Sequence, residues 1–256
     1  MTQWDSALYL KYEQERTQPS RDLAARLPQK GVARVLDVGC GPGNSTHVLR
    51  RHYPGAYVLG VDGSEDMVGR ARQTYPQENW QVCKAPDGFR RLPHDFDVVF
   101  SNACIQWIPS HHTLVPAMME LIRPGGMLAV QVPMNFHEPV HRIIEAVVHS
   151  AKWNGSFSEK RIFHTLAPEE YYALLSGISS NVFLWQTTYY HIMDSVEDIL
   201  DWYRGTGLRP YLEQLGPDEK DSFEGDIRRL LGESYPAQKN GKIIFRFPRF
   251  FFTAVK

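Results

Sequence analysis

The chain has 256 residues, 43% hydrophobic and 22% charged, with a formal net charge of −1. Such a composition is that of a globular protein with room for one large domain. A near-neutral chain lacks the basic stripe of a nucleic-acid binder, and no segment approaches the roughly 20 uninterrupted apolar residues of a membrane helix.

A polar-aromatic stretch runs from Trp4 to Arg16, and its first residues show neither the basic nor the apolar region of a secretory signal. The cytoplasm is therefore the expected compartment. A helix is predicted from Pro19 to Leu27, then a strand over 33–38 that runs into Gly39, Gly41 and Gly43, and a helix from Ser45. A strand over 57–62, a helix over 65–75, and strands over 79–83 and 96–100 follow. Next come a helix near 112–122, stopped by Arg123-Pro124-Gly125-Gly126, and a strand over 127–132. This alternation predicts a parallel α/β sheet. Farther on, 138–152 reads as a helix, Val182 to Tyr190 as a strand, and Ser195 to Tyr235 as helical. The last strand runs from Lys242 to Val255, and Pro248 inside it predicts an edge position or a bulge.

The stretch Val35-Leu36-Asp37-Val38-Gly39-Cys40-Gly41-Pro42-Gly43-Asn44 carries the most chemistry. Alternating glycines let the backbone turn sharply and approach a ligand closely. Asp37 sits inside an apolar strand, where a carboxylate needs a partner, and a ligand ammonium group is one. The spacing is not the dinucleotide G-x-G-x-x-G, since its last position is Asn44 or Thr46. Asp62 closes the second strand roughly 20 residues on, where a βαβ unit places a carboxylate for ribose hydroxyls. Cys40, Cys83 and Cys104 have no C-x-x-C spacing, and the ten histidines show no H-E-x-x-H pattern, so neither disulfides nor a metal site is expected.

An acid followed by G-x-G-x-G resembles the first motif of class I S-adenosylmethionine methyltransferases. Further segments resemble the trans-aconitate 2-methyltransferase family: Leu8-Tyr9-Leu10 with Glu15-Arg16, Asn102-Ala103 with Gln106-Trp107, and Leu128-Ala129-Val130-Gln131. The same holds for Glu138-Pro139 with His141, Thr187-Thr188-Tyr189-Tyr190-His191, Thr206-Gly207-Leu208-Arg209-Pro210 and Phe247-Pro248-Arg249. The chain departs from the family at Pro86, which separates Ala85 from the acid Asp87, and at Met134, where the family tends to carry Asp.

The resemblance implies a Rossmann-like class I methyltransferase sheet, mostly parallel with the last strand antiparallel. The roughly 50 helical residues between the last two strands, where this class usually has a short hairpin, read as a helical cap around the substrate, the alternative being an extra packing helix pair. The resemblance implies one domain over 1–256: an N-terminal helical segment (1–30), a cofactor-binding half (31–133) and a substrate half (134–256) containing the cap (195–241). The cofactor is S-adenosylmethionine. Asp37, Gly39, Gly41, Gly43, Asn44, Asp62, Asp87, Asn102, Gln106 and Trp107 are the candidates to bind it. The substrate is a small polycarboxylate, trans-aconitate or a close relative. Its carboxylates call for cations and hydrogen-bond donors, here Arg209, Arg249, Arg16, Tyr9, Tyr189, Tyr190 and His191. An ionised carboxylate nucleophile needs no general base. Two alternatives remain open at this point: a methyltransferase for another small molecule, and a non-catalytic protein that binds S-adenosylmethionine. No nucleic-acid or membrane partner is expected, and the oligomeric state is left open.

Overall fold

The computed structural model describes residues 12–158 and 162–256. In chain order the elements are α1 (Glu13–Ala24), β1 (Arg34–Val38), α2 (Asn44–His52), β2 (Tyr57–Asp62), α3 (Glu65–Thr74), β3 (Asn79–Val82) and β4 (Phe96–Asn102). Then come α4 (His111–Glu120), β5 (Ile122–Pro133), α5 (Pro139–Val148), α6 (Pro168–Ser176), β6 (Val182–Met193), α7 (Val196–Arg204), α8 (Arg209–Leu212), α9 (Pro217–Ser234) and β7 (Ile243–Val255). The sheet order is β3-β2-β1-β4-β5-β7-β6, with β1 to β5 parallel and β7 antiparallel to β5. This is the expected Rossmann-like class I methyltransferase sheet. The three helices α7 to α9 occupy the insertion between β6 and β7.

The chain divides into two compact units that are not contiguous in sequence. One comprises Thr17–Pro133, Phe163–Thr187 and Arg249–Lys256. Its central strands are buried on both faces: β1 reads Arg-Val-Leu-Asp-Val with its last four residues buried, as a parallel strand covered on each side requires. Local chemistry starts the helices. Ser64 caps α3 by accepting the Met67 N–H at 3.3 Å, and Glu65 and Asp66 sit in its first turn. Tyr171 on α6 is fully buried, stacked on Phe250 and hydrogen-bonded to His111 Nδ1 at 2.7 Å.

The other unit comprises Met1–Arg16, Met134–Ile162 and Thr188–Pro248. Its core joins α5 and α7 to α9 through Ile144, Leu200, Trp202, Phe223 and Ile227 to Phe245 and Phe247. Ser195 and Asp198 start α7, the Asp198 carboxylate accepting the N–H groups of Asp194 and Ser195 at 2.7 and 3.2 Å. Arg204 sits in an ion network with Glu197, Asp201 and Glu224.

Three sequence expectations need correction. Strand β7 is not an edge strand, because β6 lies outside it. Pro248 is tolerated because the paired run with β5 ends at Pro133↔Arg249, one residue short of it, and its carbonyl accepts the Met134 N–H at 3.0 Å. The Arg123–Gly126 segment does not stop α4, which ends at Glu120; it forms the start of β5, with a register shift between Phe96 and Val98. A side chain at Gly126 would lie 2.8 Å from the Asp97 carbonyl oxygen, so glycine lets the strands close there. Helix α1 begins at Glu13, so Pro19 lies in its interior and not at its start. The buried Leu23 and Ala24 hold that helix in place against the lost backbone bond.

Candidate active site

The glycine loop joins β1 to α2 at the point where the strand order reverses between β1 and β4, the place where open α/β sheets bind ligands. Gly39, Gly41 and Gly43 all have positive φ, at 77°, 54° and 103°. Each is needed for its own reason. A Cβ on Gly39 would lie 2.0 Å from Cys104 Sγ, and one on Gly43 would lie 2.8 Å from both Trp80 and Tyr75. Gly41 faces open space within 4 Å and donates its N–H to Asp62 Oδ2 at 3.0 Å. The other oxygen of Asp62 accepts the Ser64 N–H at 2.9 Å. Two backbone amides thus fix the carboxylate at the end of β2, and each oxygen keeps capacity to accept a hydroxyl.

Asp37 is fully buried. Its Oδ2 accepts the hydroxyls of Ser45 and Thr46, each at 2.6 Å, from the first turn of α2. Its Oδ1 has no hydrogen-bond partner among the described residues. Burial pushes its carboxyl up to about 6, the two hydroxyl bonds pull it down, and the charge of Asp62 pushes it up further. A carboxylate in this state lacks a cation.

The loop after β4 adds further acceptors. Asn102 Oδ1 and Gln106 Oε1 are buried without a partner among the described residues, while Gln106 Nε2 donates to the Ala103 carbonyl at 2.7 Å. Ala103 itself stands at φ 53°, a left-handed conformation rare for a residue with a Cβ. Its N–H is held by the Gln131 carbonyl at 2.9 Å, and Ser101 Oγ donates to the Val38 carbonyl at 2.8 Å. The structure therefore brings Asp37, Gly41 and Asp62 together, with Asn102 and Gln106 on the neighbouring strand and loop. Asn44 opens α2, half-buried. Asp87 is exposed in the turn after β3, and Trp107 is 45% exposed against Phe163. The Cys40 thiol is buried and pushed far up by that burial and by Asp37 and Asp62, so it is an inert spacer in the loop.

Of the candidates for an anionic substrate, Arg249 is 6% exposed on β7. In the other unit His191 is buried against Trp202, its ring stacked at 4.9 Å, with Tyr189 parallel to it on the same strand face. Tyr190 points to the opposite face and is exposed. Arg16 donates to the Trp202 carbonyl at 3.1 Å and lies over that indole at 4.7 Å. Arg209 is half exposed and ion-paired with Glu213 at 2.7 Å. Tyr9 lies outside the described residues.

Sequence reading did not single out Ser45 and Thr46 as partners of Asp37, although their place directly after the glycines signals it. Nor did it single out Gln131, whose signal is a lone glutamine in the apolar run Met127 to Val132. Gln131 is fully buried, and neither its Oε1 nor its Nε2 has a partner among the described residues.

Residues 35–126 match a family described as a methyltransferase domain. A trans-aconitate 2-methyltransferase from Azoarcus sp. (strain BH72) is 42% identical over 257 residues, covering 100% of both chains. One from Variovorax paradoxus (strain S110) is 39% identical, covering 100% of this chain and 99% of its own. Among solved structures, a methyltransferase-like protein from Bacillus halodurans shares the fold with a TM-score of 0.60 at 17% identity, covering 93% of this chain and 99% of its own.

Proposed function

The chain belongs to the trans-aconitate 2-methyltransferase family, and on that premise we propose that it transfers a methyl group from S-adenosylmethionine to one carboxylate of trans-aconitate, forming a monoester. The observation that carries the reading is Asp37, a sealed carboxylate with one oxygen unpartnered among the described residues, beneath a glycine loop that admits close approach. The residues present fit the cofactor: an ammonium group satisfies Asp37 Oδ1, the loop glycines leave room for a ligand backbone, and Asp62 accepts ribose hydroxyls. Bound there, S-adenosylmethionine would supply a sulfonium methyl group for a substrate carboxylate oxygen, the electron pair of the carbon–sulfur bond returning to sulfur.

The two opposite charges cancel in that displacement, so no proton moves and no general base is required. What remains for the protein is to hold both partners in line and keep water out. Asp37 and Asp62 anchor the cofactor at its two ends. The buried Arg249 guanidinium offers a planar fork that matches a carboxylate. In the other unit His191 is set among Trp202, Phe245 and Phe247, and an ionised nucleophile leaves it no proton to relay. All three cysteines are free thiols, which suits the reducing cytoplasm where this reading puts the reaction.

The test is methyl transfer from labelled S-adenosylmethionine to trans-aconitate, with cis-aconitate, citrate and isocitrate alongside. Selective labelling of trans-aconitate as an alkali-labile ester is expected. Cofactor binding without labelling of any of the four acids overturns the substrate assignment.

A further inference from the structure

Residues paired across a sheet share a face, as do residues two apart on one strand. Asp37 pairs with Phe100, Asn102 with Gln131, and Pro133 with Arg249. Phe100 and Asn102 are two apart, as are Gln131 and Pro133. Asp37, Asn102, Gln131 and Arg249 therefore lie on one face, at the carboxyl ends of β1, β4 and β5 and on the adjoining part of β7. At roughly 4.8 Å between strands and roughly 3.3 Å per residue along them, the row is a diagonal of about 14 Å across the strands and about 13 Å along them, and Gln131 stands one strand from Arg249 and two from Asp37.

The unpartnered buried atoms along this row are not evenly mixed. Asp37 Oδ1, Asn102 Oδ1 and the nearby Gln106 Oε1 are acceptors, the arrangement that receives a cationic group. Gln131 offers both a donor, Nε2, and an acceptor, Oε1, neither with a partner among the described residues. A carboxamide buried with neither end bonded destabilises the fold, and a packing role is met better by an apolar side chain of the same size. Its position between an acceptor-rich end and a buried guanidinium matches a ligand pair in which a cation lies next to an anion.

We propose that Gln131 is a substrate-binding residue: its Nε2 donates to the carboxylate of trans-aconitate that receives the methyl group, while its Oε1 turns toward the positive charge of the methyl donor. The inference rests on the substrate reading above and adds a donor to that site. Because both amide atoms lack other partners among the described residues, the side chain is free to take this orientation. The dipole then runs from cation to anion, and it lines up the two reacting groups.

Gln131→Met keeps the volume and removes both polar atoms. On the full chain, calorimetry gives the affinity for S-adenosylhomocysteine, and then for trans-aconitate on the protein saturated with S-adenosylhomocysteine. The expected result is a loss of about 10- to 100-fold in trans-aconitate affinity, the range of a hydrogen bond to a charged group. S-adenosylhomocysteine should bind within about threefold of wild type, and the ligand-free melting temperature should match or exceed it. Gln131→Glu, which sets an anion against the substrate, is expected to abolish trans-aconitate binding.

If Gln131→Met binds trans-aconitate as wild type does, the inference is overturned. Loss of S-adenosylhomocysteine affinity instead makes Gln131 a cofactor residue and overturns it too. If both variants fail to fold, the residue is structural and the inference falls. Wild type that binds S-adenosylhomocysteine but not trans-aconitate sinks the substrate reading itself, a result distinct from the others.

Discussion

Replacing Asp37 by asparagine separates what this carboxylate does for the fold from what it does for the ligand. The asparagine keeps an oxygen to accept the Ser45 and Thr46 hydroxyls, now bonded to Asp37 Oδ2 at 2.6 Å, but carries no charge. In the folded protein the carboxyl is displaced from 3.8 to about 6, and two pH units correspond to about 3 kcal/mol. Because the folded value lies above the unfolded one, the native state holds a proton that the unfolded chain releases between about pH 4 and 6. Ligand-free wild type thus loses stability as pH rises through that window, and the penalty is complete above it. Asp37→Asn should be more stable than wild type at pH 8 by up to about 3 kcal/mol and equal to it near pH 4. Saturating S-adenosylmethionine should reverse the order at pH 8, since only the charged side chain pairs with an ammonium group. Urea unfolding midpoints from pH 4 to 8, with and without S-adenosylmethionine, measure both effects. A variant that is less stable than wild type at pH 8, or that binds S-adenosylmethionine as tightly, refutes the reasoning.

Gly39→Ala places a Cβ 2.0 Å from Cys104 Sγ at φ 77°, whereas Gly41→Ala meets only its backbone strain. Chemical denaturation should show losses of about 3 kcal/mol or more for the first and about 1 kcal/mol for the second; equal losses contradict the geometry. Arg204→Ala leaves the buried Glu224 carboxylate, now held by Arg204 Nε and Nη2 at 2.9 and 2.7 Å, without its cation. A loss of about 3 kcal/mol in unfolding free energy is expected, and a loss below about 1 kcal/mol argues that the network is a solvated surface cluster. His191→Gln removes a ring stacked 4.9 Å from Trp202 and should lower stability by about 1 kcal/mol. Turnover should fall in step with substrate binding; turnover lost while trans-aconitate still binds normally means that the histidine handles a proton.

Signals carried by neighbours in the chain determined much of this protein. The strand from Val35 to Val38, the glycines at positions 39, 41 and 43, the helix after them and Asp62 at the end of β2 are all legible, because backbone freedom and hydrophobic periodicity act over a few residues. The parallel order of the first five strands follows from their alternation with helices. Other features depend on partners far away in sequence. Pro248 reads as an edge residue, yet β7 is an interior strand, because β6 lies outside it. Gln131 reads as one polar interruption in an apolar strand. Only the pairing of β1, β4, β5 and β7 sets it on one face with Asp37, Asn102 and Arg249, and only burial leaves its amide without a partner among the described residues. Local sequence fixes the conformation of each segment, but hydrogen bonding between strands decides which side chains share a face, and that register exists only once the sheet has formed.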